Sequence, residues 1–117
     1  MSARIRNNVR VVGAVDGPVV MLAHGFGCDQ TLWRSVTDLL APNFSIVLFD
    51  HVGSGASDPS AWDADKYAPL DAYVDDIVDI VRELDLRDVT FVGHSVASMM
   101  GVLAVQAAPE LFSKLFL

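Results

Sequence analysis

The stretch VTFVGHSVA at residues 89–97 decides the fold of this 117-residue chain. Its first part, Val89–Val92, is a mostly apolar run with Thr90 as its one polar residue, and such a run is typical of a strand buried on both faces. Ser95 follows where the strand turns into a helical pattern, and a serine in that context predicts a nucleophile elbow of the G-x-S-x-G type. Gly93 supplies the first small residue, and Ala97 stands where the second glycine is common. The alternative interpretation is that Ser95 only caps the helix.

Two similar apolar runs, Val19–Ala23 and Phe44–Phe49, lie earlier in the chain and predict two more buried strands. Three helical patterns accompany the strands, from Asp29 to Pro42, from Asp71 to Leu84 and from Ser95 to Ala108. An alternation of strands and helices predicts an α/β fold, with a mostly parallel sheet and helices on both faces. Sheets of this kind carry their chemistry at the carboxyl ends of the strands.

Several finer expectations concern the ends of the chain and the faces of the helices. The segment Arg4–Val15 predicts an N-terminal strand or hairpin that ends at the turn Asp16-Gly17-Pro18, and Lys114–Leu117 begins a further apolar run. The helix capped by Asp29 is expected to pack on the sheet through an apolar stripe of Leu32, Trp33, Val36, Leu39 and Leu40. The next helix is expected to turn most of its acidic residues to solvent, among them Asp75, Asp76 and Asp79.

A loop with two glycines, His24-Gly25-Phe26-Gly27, follows the strand Val19–Ala23. The glycines leave the backbone free to turn N–H groups towards a cavity. A reaction that passes through an oxyanion needs two such donors, and the backbone N–H groups of Phe26 and of Val96, the residue after Ser95, are expected to supply them. The alternative is a glycine-rich loop that binds no ligand.

The remaining candidate groups favour structural roles. His94 is expected to pack under the elbow, His24 is expected to make structural hydrogen bonds, and His51 lies in a loop after a strand. None of the three is positioned as a general base. The Gly53-x-Gly55 sequence lacks the third glycine and the immediate helix of a dinucleotide site. No cluster of side chains has the spacing of a metal site.

Composition argues against several classes of function. The chain has 15 acidic and 8 basic residues and a net charge of −7, without a basic cluster, so we expect no nucleic-acid partner. No apolar run approaches the ~20 residues needed to cross a bilayer, and the N-terminus lacks a signal-peptide pattern, so we expect no membrane association. Cys28 is the single cysteine and fits a small buried or half-buried thiol, which favours a reducing cytoplasm.

Three motifs together resemble the α/β-hydrolase superfamily, in the branch that holds the RsbQ-like stress-signalling hydrolases and the strigolactone and karrikin receptors. The motifs are HGFGCDQ at residues 24–30, FDHVGSGASD at 49–58 and GHSV at 93–96. The resemblance implies that Ser95 is the nucleophile, that the amides of Phe26 and Val96 form the oxyanion hole, and that Phe26 lines a small apolar pocket. It also implies small hydrophobic esters, lactones or butenolides as substrates or ligands, no cofactor, and a protein partner in signalling.

The acid and base of such a triad follow the nucleophile in the order Ser, Asp or Glu, His. Residues 96–117 contain no Asp or His and one glutamate, Glu110, which follows Pro109 at a helix end. We therefore expect residues 1–117 to form the N-terminal part of a single α/β-hydrolase core domain, a partial fold without the C-terminal strands and lid. We expect no useful turnover from this chain alone. A receptor that acts through a protein partner and, more weakly, a stand-alone scaffold remain alternatives to an enzyme.

Overall fold

A five-stranded sheet organises the computed structural model, which describes all residues from Met1 to Leu117. The strands are β1 (Arg10–Gly13), β2 (Val19–Ala23), β3 (Ser45–Leu48), β4 (Val89–Gly93) and β5 (Phe112–Phe116). Their spatial order is β1-β3-β2-β4-β5, with β1 antiparallel to β3 and the other three pairings parallel. The helices are α1 (Ala3–Arg6), α2 (Arg34–Leu40), α3 (Asp71–Glu83) and α4 (Val96–Ala107), and two 3-10 turns cover Gln30–Trp33 and Pro59–Ala61.

Each face of the sheet has its own core, because successive side chains of a strand point to opposite faces. Met21 and Ala23 of β2 and Phe91 of β4 are fully buried on one face, in a cluster that includes residues of α1, α3 and α4. Val20 and Leu22 of β2 lie on the other face, where α2 and the 3-10 turn before it cover them. The predicted α/β class, with a mostly parallel sheet and helices on both faces, is confirmed.

The N-terminal segment differs from the prediction of a strand or hairpin over Arg4–Val15. Its first residues form helix α1, and only Arg10–Gly13 is a strand. This strand pairs with β3 and not with β2, the next strand along the chain. The helix forms because distant oxygens accept its free N–H groups. The Glu83 carboxylate accepts hydrogen bonds from the N–H groups of Ala3 (2.8 Å) and Arg4 (2.9 Å).

The stripe predicted for the second helical segment is only partly correct. Trp33, Val36 and Leu40 pack on the sheet, whereas Leu32 is exposed and Leu39 is 80% exposed. The segment opens with a 3-10 turn over Gln30–Trp33 before it continues as α2. At about 100° per residue, Leu32 and Leu39 lie together on one flank of the predicted stripe. The sheet covers only the centre and the opposite flank, where Trp33, Val36 and Leu40 lie.

Asp76 is the exception to the solvated acidic face predicted for α3. The residue is only 4% exposed, its Oδ2 accepts a hydrogen bond from the Tyr67 hydroxyl (2.8 Å), and its Oδ1 lies 3.2 Å from the Arg6 guanidinium. Burial raises the pKa of Asp76 above its ordinary value, against the opposing effects of Tyr67 and Arg6. None of the four helices has both the length and the apolarity that a membrane span requires.

Candidate active site

Ser95 lies at the turn between β4 and α4 with φ 59° and ψ −125°. This region of backbone conformation costs a residue other than glycine ~1–3 kcal/mol, and such strain is concentrated at functional sites. The Ser95 side chain makes no capping hydrogen bond to α4, and the residue is exposed. The structure therefore does not use this hydroxyl as a helix cap, which was the alternative interpretation.

The elbow (Gly93–Ala97) depends on a close approach of strand and helix. A Cβ atom added to Gly93 would lie 2.6 Å from the Ala97 carbonyl oxygen and 2.8 Å from the Ser98 nitrogen, so only glycine fits there. The Ser98 hydroxyl donates a hydrogen bond to the Gly93 carbonyl (3.0 Å) and closes the turn. Ala97 is fully buried, so the packing accommodates its methyl group where the common motif has glycine.

The structure brings the glycine loop (His24–Gly27) and the elbow together. β2 and β4 are adjacent and parallel, Ala23 pairs with Gly93, and the His94 N–H donates to the Ala23 carbonyl (3.0 Å). A Cβ atom added to Gly25 would lie 3.0 Å from the Ser95 Cβ and 2.8 Å from His94 Nδ1. The loop backbone therefore rests directly against the serine turn, as expected at the carboxyl edge of a parallel sheet.

Two backbone donors at this junction have no partner within the chain. Val96 is the first residue of α4, so its N–H has no acceptor inside the helix, and neither it nor the Phe26 N–H takes part in a backbone hydrogen bond. The N-terminus of α4 also carries the positive end of the helix dipole. An oxygen with developing negative charge beside Ser95 would be stabilised by this environment.

An aromatic cleft of about 440 Å³ adjoins the glycine loop. Its lining consists of Phe26, Gly27, Val52, Gly53, Ser54, Trp62 and Tyr73. The Phe26 ring is 55% exposed and meets the Tyr73 ring edge-on, with the ring centroids 5.6 Å apart. Exposed aromatic side chains that line a cleft commonly mark a binding site, and the chemistry of this cleft suits a small apolar ligand.

The three histidines occupy different environments. His94 is exposed and packs edge-on against Trp33, with the ring centroids 6.4 Å apart, so the expectation that it packs under the elbow is wrong. The tight turn at Ser95 leaves no space beneath it, because Gly93 and Ala97 already touch there. His24 is fully buried and hydrogen-bonded, as expected for a structural residue. No imidazole donates to or accepts from the Ser95 hydroxyl.

His51 is buried behind the glycine loop, and sequence reasoning gave it no role. Its Nε2 lies 2.8 Å from the His24 carbonyl oxygen. Burial and the neighbouring His24 lower the pKa of His51 to about 4, so the ring is neutral near pH 7. A neutral imidazole that is committed to a backbone carbonyl is a structural group and is unsuited to proton transfer at Ser95.

Asp50 follows Phe49 directly, and sequence reasoning gave it no role. Its Oδ1 accepts from the Gln30 N–H (2.9 Å), and its Oδ2 accepts from Asn8 Nδ2 and from the Ala56 N–H, both at 3.0 Å. A Cβ atom on Gly55 would lie 2.6 Å from this carboxylate. Asp50 therefore ties three segments together around the site, and the two glycines at 53 and 55 serve this turn. The signal available in the sequence was an acidic residue directly after the apolar run Ile46–Phe49.

Glu110 lies at the wrong end of α4 to assist Ser95. The helix has 12 residues, which correspond to about 18 Å at ~1.5 Å per residue. Ser95 precedes its first residue and Glu110 follows its last, where the carboxylate lies 3.7 Å from Arg82. Elsewhere in the chain, no three His, Cys, Asp or Glu side chains lie close enough together to share a metal ion.

Comparisons with known proteins agree with this architecture. A family model described as the alpha/beta hydrolase fold matches residues 18–117. A strigolactone esterase (D14) from Arabidopsis thaliana is 46% identical over 110 residues, which are 94% of this chain and 41% of the relative. A karrikin insensitive 2 receptor from Petunia hybrida is 39% identical over 93% of this chain and 40% of the relative.

Among solved structures, a hydrolase from Oleispira antarctica superposes with a TM-score of 0.93 at 37% sequence identity. The match covers 97% of this chain and 41% of that protein. The chain thus spans about two fifths of the length of the proteins that it resembles.

Proposed function

The chain belongs to the α/β-hydrolase family, and from that premise we propose that Ser95 is the nucleophile of a serine hydrolase acting on small hydrophobic esters or lactones. The observation that carries the proposal is the junction of the strained Ser95 with the glycine loop, which leaves two backbone donors without partners. The Val96 N–H is free because it begins a helix, and it directly follows an exposed serine hydroxyl. A donor in that place has a clear chemical use in acyl transfer.

The proposed reaction follows from these groups. The Ser95 oxygen attacks the carbonyl carbon of the ester while its proton passes to a general base, and the carbonyl electron pair moves onto the oxygen. The N–H groups of Phe26 and Val96 then donate to this oxyanion, and each such donor contributes ~3 kcal/mol to stabilisation of the transition state. The intermediate collapses as the C=O bond reforms, the C–O bond to the alcohol breaks, and the base returns its proton to the leaving alcohol oxygen. Water, deprotonated by the same base, then cleaves the acyl-serine to the acid and frees Ser95. No step requires a cofactor.

The aromatic cleft and the relatives support the proposed substrate class. A cleft of about 440 Å³ that includes Phe26, Trp62 and Tyr73 suits a compact apolar molecule. One relative is named a strigolactone esterase and another a karrikin insensitive 2 receptor. We therefore propose esters, lactones or butenolide-like compounds as ligands.

The general base is the part of this chemistry that residues 1–117 do not contain. None of the three histidines hydrogen-bonds to Ser95, and Glu110 lies at the far end of α4. We propose that residues 1–117 form the N-terminal part of one hydrolase core domain and that this chain alone has no useful turnover. Without a base, a serine hydroxyl is a weak nucleophile. Because Cys28 is the only cysteine, we also propose that the protein works in the reducing cytoplasm.

A base added from solution makes the proposal testable on this chain. We expect a fluorophosphonate probe to label Ser95 at a rate that rises with the concentration of 2-methylimidazole, a base too hindered to be a good nucleophile. Peptide mass spectrometry identifies the labelled residue. Ser95→Ala should abolish the adduct, whereas Ser35→Ala, which removes an exposed serine of α2, should leave it unchanged. Labelling spread evenly over exposed serines, or none at Ser95, would overturn the proposal.

A receptor role of the RsbQ-like or karrikin-receptor type is the second candidate, favoured by the name of one relative. In this role the ligand occupies the aromatic cleft and a protein partner reads the complex, with hydrolysis slow or incidental. Binding of a butenolide, measured as a shift in melting temperature, should then persist in the Ser95→Ala variant. Loss of that binding in the variant would argue against a receptor role that is independent of the serine.

A further inference from the structure

His24 and His51 form a reciprocal hydrogen-bonded pair behind the glycine loop. The His51 N–H donates to His24 Nε2 (3.0 Å), and the His51 Nε2 lies 2.8 Å from the His24 carbonyl oxygen. The ring centroids are 4.4 Å apart, and both residues are at most 2% exposed. The third contact joins His24 Nδ1 to the carbonyl oxygen of Gly25 (2.7 Å).

These contacts determine where the ring protons lie. Because His24 Nε2 accepts from an N–H group, it carries no proton, so the proton of this ring is on Nδ1 and is donated to the Gly25 carbonyl. Because His51 Nε2 faces the His24 carbonyl oxygen, it must carry a proton and donate it. The contacts therefore place a proton on Nδ1 of His24 and on Nε2 of His51, and each ring donates to one backbone carbonyl of the glycine loop.

The two carbonyls belong to successive peptide planes. His51 anchors the plane between His24 and Gly25, and His24 anchors the plane between Gly25 and Phe26, where the Cys28 N–H also donates to the Gly25 carbonyl (3.3 Å). No peptide bond in the chain is cis. In a trans peptide the N–H points opposite to the C=O, so the anchored Gly25 carbonyl aims the Phe26 N–H away from the His24 ring.

We infer that His51 is a positioning residue which, through His24, holds the glycine loop in the conformation that aims the Phe26 N–H at the oxyanion. The inference rests on the proposed function, since it assigns this role to the hole beside Ser95. Glycines at 25 and 27 make the loop intrinsically mobile, so an external restraint is required to hold the donor in one direction. His51 supplies it from a separate segment, 27 residues further along the chain.

The surroundings of His51 suit a neutral, fixed ring. The Phe49 and Tyr73 rings meet it edge-on, with centroid distances of 5.2 and 5.8 Å. The titratable groups around it are His24, Asp50 and Tyr73, and the burial of the ring outweighs the attraction of the Asp50 carboxylate. The low pKa of His51 is consistent with a ring that keeps a single proton, and the contact with the His24 carbonyl places that proton on Nε2.

Two substitutions at His51 test this role. Gln places an N–H donor near the former Nε2, whereas Leu removes the donor and keeps the apolar volume. We expect His51→Leu to slow the base-dependent fluorophosphonate labelling of Ser95 by about 10- to 100-fold. This is less than the ~100- to 1,000-fold loss on removal of an oxyanion donor, because the Phe26 N–H is then misdirected but still present. His51→Gln should stay within about threefold of the unsubstituted protein. Ile80→Val, a buried change on α3, controls for lower stability and should leave the rate unchanged.

Nitrogen-15 spectra of the imidazoles provide a measurement that needs no variant. In the unsubstituted protein they should show the proton on Nδ1 of His24 and on Nε2 of His51, and the opposite tautomers would overturn the inference even if His51→Leu does not fold. Labelling that is unchanged in folded His51→Leu would also overturn it. If Ser95 of the unsubstituted protein is never labelled, the proposed function fails, and the tautomers still decide whether the pair holds the loop.

Discussion

Acidification should destabilise this protein through His51. The pKa of the ring is about 4 in the folded chain and 6.5 in the unfolded chain, so the unfolded state binds more protons between these values. Stability therefore falls as the pH falls from about 6.5 to about 4. Each unit of pKa shift corresponds to ~1.36 kcal/mol. The free energy of unfolding should therefore drop by about 2 kcal/mol from pH 7 to pH 5, and by about 3 kcal/mol from pH 7 to pH 4.

Urea unfolding at several pH values, followed by circular dichroism, measures this loss. Buried Asp76 has a raised pKa and acts in the opposite direction, so the protein must be compared with a variant that changes His51 alone. His51→Gln keeps a donor for the His24 carbonyl and has no titratable ring. The difference in unfolding free energy between the two proteins should change by about 2 kcal/mol from pH 7 to 5. Parallel pH profiles for the two proteins would refute the reasoning.

Three further predictions concern the packing. Gly93→Ala should lower the free energy of unfolding by about 3 kcal/mol and abolish labelling of Ser95, because the new methyl meets the backbone of Ala97. Gly27→Ala is the control, since a methyl there has nothing within 4 Å, and thermal unfolding should show a loss of only ~1–2 kcal/mol, caused by the positive φ of this residue. Asp50→Asn should cost ~1–3 kcal/mol in urea unfolding, since an amide NH₂ then faces a backbone donor, and equal stability would contradict this role. The open edge of β5 should make the chain self-associate, as measured by sedimentation velocity. Phe116→Lys, at an exposed position of this strand, should shift the protein towards monomer, and an unsubstituted protein that is already monomeric would contradict the prediction.

Most of the central sheet could be predicted from the sequence because burial on both faces leaves a local mark. Val19–Ala23 was predicted with the bounds that the structure has, and Val89–Val92 is one residue short of β4. The nearness of the glycine loop to Ser95 was also predictable, because parallel strands end at one edge. Their roles in catalysis remain a proposal that the labelling experiment addresses.

The parts that could not be predicted depend on partners far along the chain. Helix α1 needs Glu83 to accept its N–H groups, across 79 and 80 residues, and buried Asp76 needs Arg6. The charged residues near Asp76 in the sequence resemble a solvated helix face, because its partners Arg6 and Tyr67 lie outside the helix. The predicted stripe that includes Leu39 was too wide for a different reason, because the sequence does not show how much of an apolar helix face the sheet covers.

By itself, the amino-acid sequence determined the order of strands and helices, the elbow at Ser95 and the family resemblance, since apolar periodicity and short motifs are properties of neighbouring residues. Only the tertiary structure decided that His51 supports His24, that Asp50 joins three segments, and that His94 is exposed. A hydrogen bond is directional and reaches about 3 Å. Whether a donor meets an acceptor dozens of residues away is therefore settled only when the sheet has brought both to the same edge.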